Sequence, residues 1–229
     1  MASLTLVGAP FSTFTRTFRM ALHCLEVPYT LETTTPYTDL AYKYHPFGRI
    51  PSLLHNEQTL FESATIRAYI DHEFNNSLTP TDFSKRLQME TIISCLCDYV
   101  FHHVVFGIAK PRHFYEQQGL KETEITARFA KGPLEKAGKI MEALESIIVK
   151  DSEFLCGEQL TWADYYVFPV LADLFCLPEC DFFKEKAPGL FTWYEGFKKR
   201  EEAVITYKDT VADMRNNDNN NNNDSNAKF

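Results

Sequence analysis

Glu62 and Ser63 stand side by side at the start of an amphipathic run, and between them they can hold the two charged ends of an amino acid. A helix N-terminus carries unpaired N–H groups and the positive end of the helix dipole, so the hydroxyl and N–H of Ser63 suit a small carboxylate. The carboxylate of Glu62 suits an ammonium. Upstream, Pro51 pushes Ile50 toward an extended conformation in which its N–H and C=O face sideways, where a peptide backbone can pair with them. The ligand this set describes is short and peptide-like, with a carboxylate and an ammonium about one side chain apart. A plainer reading stands beside it: Ser63 caps a helix and Glu62 complements its dipole.

Local sequence signals indicate the elements that must position these groups. Gly48 turns the chain before Arg49, and Pro51-Ser-Leu-Leu-His55 reads as a short strand with its proline at the first position, where the missing donor does least harm. Asn56-Glu57-Gln58 reads as a turn and Thr59-Leu60-Phe61 as a second strand. From Ser63 on, Ile66, Tyr69 and Ile70 share one helical face. Ahead of this hairpin and helix, Ser3 to Val7 reads as a central strand and Phe14 to Leu25 as a helix with Phe18, Leu22 and Leu25 at helical spacing. Pro28 stops that helix and Tyr29 to Thr33 is a second strand, with a right-handed crossover expected. Residues 1–76 therefore form a βαβ unit followed by ββα.

Asn75 to Asp82 is rich in turn formers, which places a linker at 77–84. From 85 to 214 helical patterns dominate, with runs near 83–105, 121–149, 161–177, 188–199 and 201–213. Thr161-Trp-Ala-Asp164 is a capping box that opens a helix apolar nearly all round, the expected centre of the helical part. The fold class is thus α/β followed by all-α. The tail from Arg215, RNNDNNNNNDSNAKF, has no apolar periodicity and is expected to be disordered.

Composition narrows the partners. With 31 acidic against 23 basic residues, a net charge of −8 and no basic tract, neither nucleic acid nor an anionic membrane is an expected partner. The run from Tyr165 to Leu177, read as the longest apolar stretch, is broken by Pro169 and Asp173 and is too short to span a bilayer. No cationic and apolar leader opens the chain, so a cytoplasmic location is expected. The six cysteines have no metal-ligand spacing and read as buried thiols, and the adjacent His102 and His103 point apart on a helix, so no metal is expected.

With this order of elements, and with His45-Pro-Phe-Gly-Arg-Ile-Pro51, Phe61-Glu-Ser63 and Thr161-x-Ala-Asp164 in place, the chain resembles a cytosolic glutathione S-transferase from residue 3 to about 210. The resemblance implies a thioredoxin-like first domain, a cis bond before Pro51, and glutathione as co-substrate without a further cofactor. It implies pairing of the Ile50 backbone with the cysteinyl part of glutathione and a γ-glutamyl end held by Glu62 and Ser63. The glutathione-binding set is then Ile50, Pro51, Glu62 and Ser63 with His45 and Arg49. His45 departs from the usual residue at its position; it or Lys43 is a candidate for the glycyl carboxylate.

The nucleophile in such chemistry is the thiolate, so the site must favour the anion by a hydrogen bond or a positive field. Each unit of pKa depression corresponds to about 1.4 kcal/mol, within reach of one charge-assisted hydrogen bond plus a helix dipole. Pro10-Phe11-Ser12-Thr13-Phe14-Thr15-Arg16 offers Ser12 first, by resemblance to the serine-using phi, theta-like and fungal members, then Thr13, then Thr15. Ser12 acting only as a helix cap is the alternative, and Arg16 reads equally as a surface or dimer residue. No tyrosine or cysteine stands in this loop, and Cys24 lies too far along the helix for the thiol-transfer role. A hydrophobic electrophile is expected against Phe11, Tyr99, His103, Phe106 and Tyr115, although aromatic residues at helical spacing also serve as core. The resemblance implies a homodimer. Two other functions remain open: a non-catalytic module like the gamma subunit of elongation factor 1B, and glutathione-dependent peroxidase or isomerase chemistry at the same site.

Overall fold

The computed structural model describes residues 4–217. Ser3, read as the first residue of the opening strand, and the tail from Asp218 lie outside the described residues. Two compact units are formed: one from the residues through Thr79 together with those from Lys198 on, the other from Pro80–Phe197.

The first unit is a four-stranded sheet of order β2-β1-β3-β4, with β1 at Leu4–Gly8, β2 at Tyr29–Thr33, β3 at Ser52–His55 and β4 at Gln58–Leu60. β1 is internal because Leu4, Leu6 and Val7 are all buried, on both faces of the strand. It pairs in parallel with β2 and antiparallel with β3, Leu6 lying opposite Leu31 on one side and Leu53 on the other. The hairpin turn is shorter than the sequence suggests: His55 pairs with Gln58, Asn56 has φ 54°, and Phe61 is past the strand. Asparagine tolerates that left-handed turn position, so two residues suffice.

Helix α1 spans Thr13–Cys24 and is capped by Ser12. Its N-terminal turn packs against the end of β1 closely enough that a Cβ on Gly8 would come within 2.4 Å of the Thr15 hydroxyl oxygen, so only glycine fits there. Helix α2 (Asp39–Tyr44) is capped by the Thr38 hydroxyl, and α3 (Ser63–Glu73) follows β4. Helix α11 (Glu201–Ile205), read from sequence as part of the helical domain, belongs to this unit and lies on α1. The buried Arg16 joins them, donating from Nη2 to the Ala203 carbonyl at 3.1 Å and from Nε to the Thr206 hydroxyl at 3.4 Å. Arg16 is therefore not a surface residue. The last described residues, 211–217, are helical, so the expected disorder does not begin at Arg215; the rest of that tract lies outside the described residues.

The second unit is helical. One continuous helix runs from Phe83 to Gln117: α4 (Phe83–Cys95), a π-helical middle (Leu96–Ala109) and α5 (Lys110–Gln117). Its most apolar 18-residue window has a mean hydropathy of 1.7, so among the described residues this helix, rather than the stretch at 165–177, is the one long and apolar enough to cross a membrane by length and composition. Leu96, Val100, Val104, Val105 and Ile108 are instead buried in the unit, packed toward α7 (Pro133–Ser146) and α8 (Trp162–Phe175). The expected single run at 121–149 is two helices, α6 (Glu122–Phe129) and α7. Gly132 at φ 129° followed by Pro133 breaks it, since proline has no N–H to continue the ladder. Helices α9 (Cys180–Lys186) and α10 (Pro188–Phe197) complete the unit.

Every residue of α8 is buried, and Pro169 sits within it without ending it. Asp164 fixes its start, accepting from the N–H and hydroxyl of Thr161 at 2.8 and 3.0 Å and from the Leu155 N–H at 2.8 Å. Burial nonetheless pushes this carboxyl up to about 6. Arg112, its side chain 1% exposed, grips Glu122 through both Nη atoms and also pairs with Glu116 and with Glu179, which is 8% exposed. Of the six cysteines, all free, only Cys156 is buried; the other five are half-buried, because their helices reach the surface.

Candidate functional site

Glu62, Ser63 and Ile50 all lie in the first unit. Glu62 occupies the N-cap position of α3 with φ 68° and ψ 127°, a region L-residues rarely adopt, and its side chain makes no capping bond. It is 64% exposed. The first N–H groups of α3 are thus left without a side-chain cap, and Ser63, half-buried, stands at the first helical position. The Ile50–Pro51 bond is cis, as the resemblance implies. Pro51 is buried at the foot of β3, and among the described residues no backbone group takes up the N–H or C=O of Ile50. A carboxylate, helix-end donors and a residue whose main chain no other backbone group among the described residues takes up are what an ammonium, a carboxylate and a peptide bond need.

The loop that leads into Ile50 is pinned from inside. Gly48, at φ 61°, lies against the Tyr42 ring, where a Cβ would come within 2.7 Å. Arg49 is exposed with its guanidinium 5.8 Å from the Tyr37 ring, and Lys43 is exposed with its Nζ 4.7 Å from the Tyr44 ring. His45 is 3% exposed. Its Nδ1 accepts the Phe47 N–H at 3.2 Å, its Nε2 faces Glu62 Oε1 at 3.5 Å, and its ring packs on Phe61. Burial lowers its pKa below the ordinary histidine value, against the opposing pull of Glu62. The expected exposed contact to a glycyl carboxylate does not fit this burial; Lys43 and Arg49 are the cations at the surface.

Three hydroxyls were candidates for the thiol, and their surroundings differ. Ser12 is half-buried; its Oγ accepts the Thr15 N–H at 3.3 Å, its N–H donates to the Ala9 carbonyl, and its own hydroxyl proton has no acceptor among the described residues. Thr13 is half-buried at the first position of α1. Thr15 is fully buried, with its hydroxyl against Gly8 and no hydrogen-bond partner among the described residues, so no ligand reaches it.

The aromatic residues assigned to an electrophile divide between the units. Phe11 is exposed beside Ser12 in the first. In the second, Tyr99 and Phe106 are exposed on the π-helical segment, and His103, half-buried, has its pKa lowered by burial first and by Lys136 next. Tyr115 is engaged within its own unit, in contact with the Phe129 ring and the Arg128 guanidinium. The contact the sequence did not disclose is the one from His45 to Glu62, since no motif spacing links the two. Among the described residues no cluster of histidine, cysteine and acidic side chains has the arrangement of a metal site.

Comparison with known proteins gives this geometry a family. Residues 6–78 match the glutathione S-transferase N-terminal domain and residues 109–209 the glutathione S-transferase C-terminal domain. The chain belongs to the glutathione S-transferase family. It is 28% identical to glutathione S-transferase F13 of Arabidopsis thaliana over 55% of this chain, a match that spans 57% of that relative. It is 27% identical to glutathione S-transferase F6 of the same plant over 89% of this chain and 98% of the relative. Among solved structures, a glutathione transferase homologue from Drosophila mojavensis with bound glutathione superposes with a TM-score of 0.73 at 22% identity, covering 94% of this chain and 98% of that one. That likeness carries the fold: a thioredoxin-like domain with a mixed sheet, then a helical domain.

Proposed function

We propose that the protein is a glutathione S-transferase that joins the sulfur of glutathione to a small hydrophobic electrophile. The observation that carries this reading is the open start of α3: an exposed Glu62 in a rare backbone conformation beside uncapped helix-end donors, in the same unit as the unpaired backbone of Ile50. Glu62 binds the ammonium of the γ-glutamyl end, Ser63 its carboxylate, and Ile50, held by its bond to Pro51, pairs through its main chain with the cysteinyl residue. Arg49 supplies a nearby cation.

Ser12 donates a hydrogen bond from its hydroxyl to the glutathione sulfur and keeps its proton. Because the cap on α1 uses the Ser12 oxygen only as an acceptor, capping and donation coexist. The hydrogen bond and the helix end stabilise the thiolate, whose proton leaves to solvent. The thiolate attacks the electrophilic carbon, forming the C–S bond as the leaving group departs with its electron pair, or as electrons shift onto a conjugated acceptor. Within the first unit Phe11, exposed beside Ser12, is the proposed contact of the electrophile. The family supports a cytosolic homodimer, which light scattering would test, with a monomer counting against it.

The deciding experiment measures glutathione binding by calorimetry and conjugation of a chlorinated dinitrobenzene by wild type. Saturable binding with chloride release is the expected result. A protein that neither binds glutathione nor turns over any of a panel of electrophiles would instead fit the non-catalytic module.

A further inference from the structure

Resting on the proposed glutathione site, we infer that His45 is a positioning residue: as a buried neutral imidazole it aims the Glu62 carboxylate at the ligand's ammonium. Four observations converge on this. The ring is almost wholly excluded from solvent, so it does not itself meet the ligand. Its Nδ1 is occupied as an acceptor by the Phe47 N–H, which places the ring proton of the neutral form on Nε2. Nε2 in turn faces Glu62 Oε1 at 3.5 Å, longer than a formed hydrogen bond of about 3 Å. And among the described residues no side-chain hydrogen bond orients Glu62, which does not cap α3 and stands in a rare backbone region.

The arrangement assigns a division of labour. The Phe47 N–H and the Phe61 ring fix the imidazole, whose Nε2–H lies 3.5 Å from one oxygen of an exposed glutamate, near enough to attract it and leave the second oxygen for the ammonium. An attraction that narrows the orientations of this carboxylate before the ligand arrives lowers the entropic cost of binding. A neutral donor does this without cancelling the negative charge that the ammonium needs. A protonated imidazole would both lose the Phe47 bond and compete for Glu62 as a cation.

Three substitutions separate this role from a merely structural one. His45→Phe keeps the ring and removes both nitrogens; His45→Gln supplies a donor in place of Nε2; His45→Asn supplies an acceptor in place of Nδ1 only. The expected outcome is a roughly tenfold rise in KM for glutathione in His45→Phe, with kcat and the KM for the electrophile within about twofold of wild type. His45→Gln should recover most of that loss and His45→Asn little of it. In a double-mutant cycle His45→Phe should add almost nothing in a Glu62→Gln background. The inference is overturned if the two substitutions multiply independently, if Asn rescues as well as Gln, or if only thermal stability changes while KM does not. If wild type binds no glutathione at all, the functional reading falls and this one with it; wild-type binding with an unchanged His45→Phe KM removes this one alone.

Discussion

The Thr15 N–H donates to the Ser12 hydroxyl oxygen at 3.3 Å, which leaves the Ser12 O–H able to donate a hydrogen bond elsewhere. Ser12→Ala is therefore expected to do two separable things. It removes a helix cap, at about 1 kcal/mol of stability. It also removes a charge-assisted hydrogen bond of about 1.5–3 kcal/mol from the thiolate, lowering kcat/KM by roughly 10- to 100-fold. The second loss should follow the thiol, moving the rise of the rate to higher pH. Thr15→Val should leave the rate alone; full activity in Ser12→Ala with a loss in Thr13→Ala would move the role to Thr13.

Glu62 stands where a glycine would be at ease. Replacing it with glycine should raise unfolding stability by about 1 kcal/mol, by relieving the positive φ. The same change should raise the KM for glutathione tenfold or more, because the ammonium loses its carboxylate. Denaturant unfolding and steady-state kinetics on one variant thus read opposite signs. A variant that is both more stable and unimpaired would remove Glu62 from the site.

Acidity should act on the two units in opposite senses. Asp164 in the folded chain holds its proton up to about 6 against an ordinary value of 3.8, so the folded state binds more protons than the unfolded one in that window. Its contribution to stability is complete below about 3.8 and is lost as pH rises through about 6. His45 runs the other way: its lowered pKa favours the fold above the ordinary histidine value of 6.5, and that contribution is lost as pH falls. Stability measured against pH should show Asp164→Asn flattening the first slope and His45→Phe the second.

Arg112 is expected to be the least replaceable charge of the helical unit. Arg112→Ala strands Glu179, almost wholly buried, and should cost about 3–5 kcal/mol in unfolding free energy. Pairing it with Glu179→Gln should restore part of that loss. An additive double mutant would mean that the two groups do not share one ion cluster.

Much of this was written in the sequence where local chemistry decides the outcome. The cap at Ser12, the box at Thr161 and Asp164, the turn before Pro51 and the start of α3 at Ser63 each depend on side chains within a few positions of the backbone they satisfy. What sequence could not supply were relations set by packing. His45 looks like any polar loop residue until the fold buries it against Phe61 and turns it to Glu62. Arg16 looks like a surface cation until a distant carbonyl is brought to it. The helical run at 121–149 looks continuous because apolar spacing persists through it, while the break at Gly132 and Pro133 depends on backbone freedom that periodicity does not register.

The return of α11 to α1 also sets an order of events during synthesis. Arg16 is made long before its carbonyl and hydroxyl partners, which lie 187 and 190 positions further along. While the ribosome is still extending the helical unit, the sheet and its first helix already exist as chain but have a guanidinium with no place to go. The unit that holds Glu62, Ser63 and Ile50 is thus begun before the helical unit and completed only after it, and a chain halted within the helical unit would leave the underside of α1 exposed.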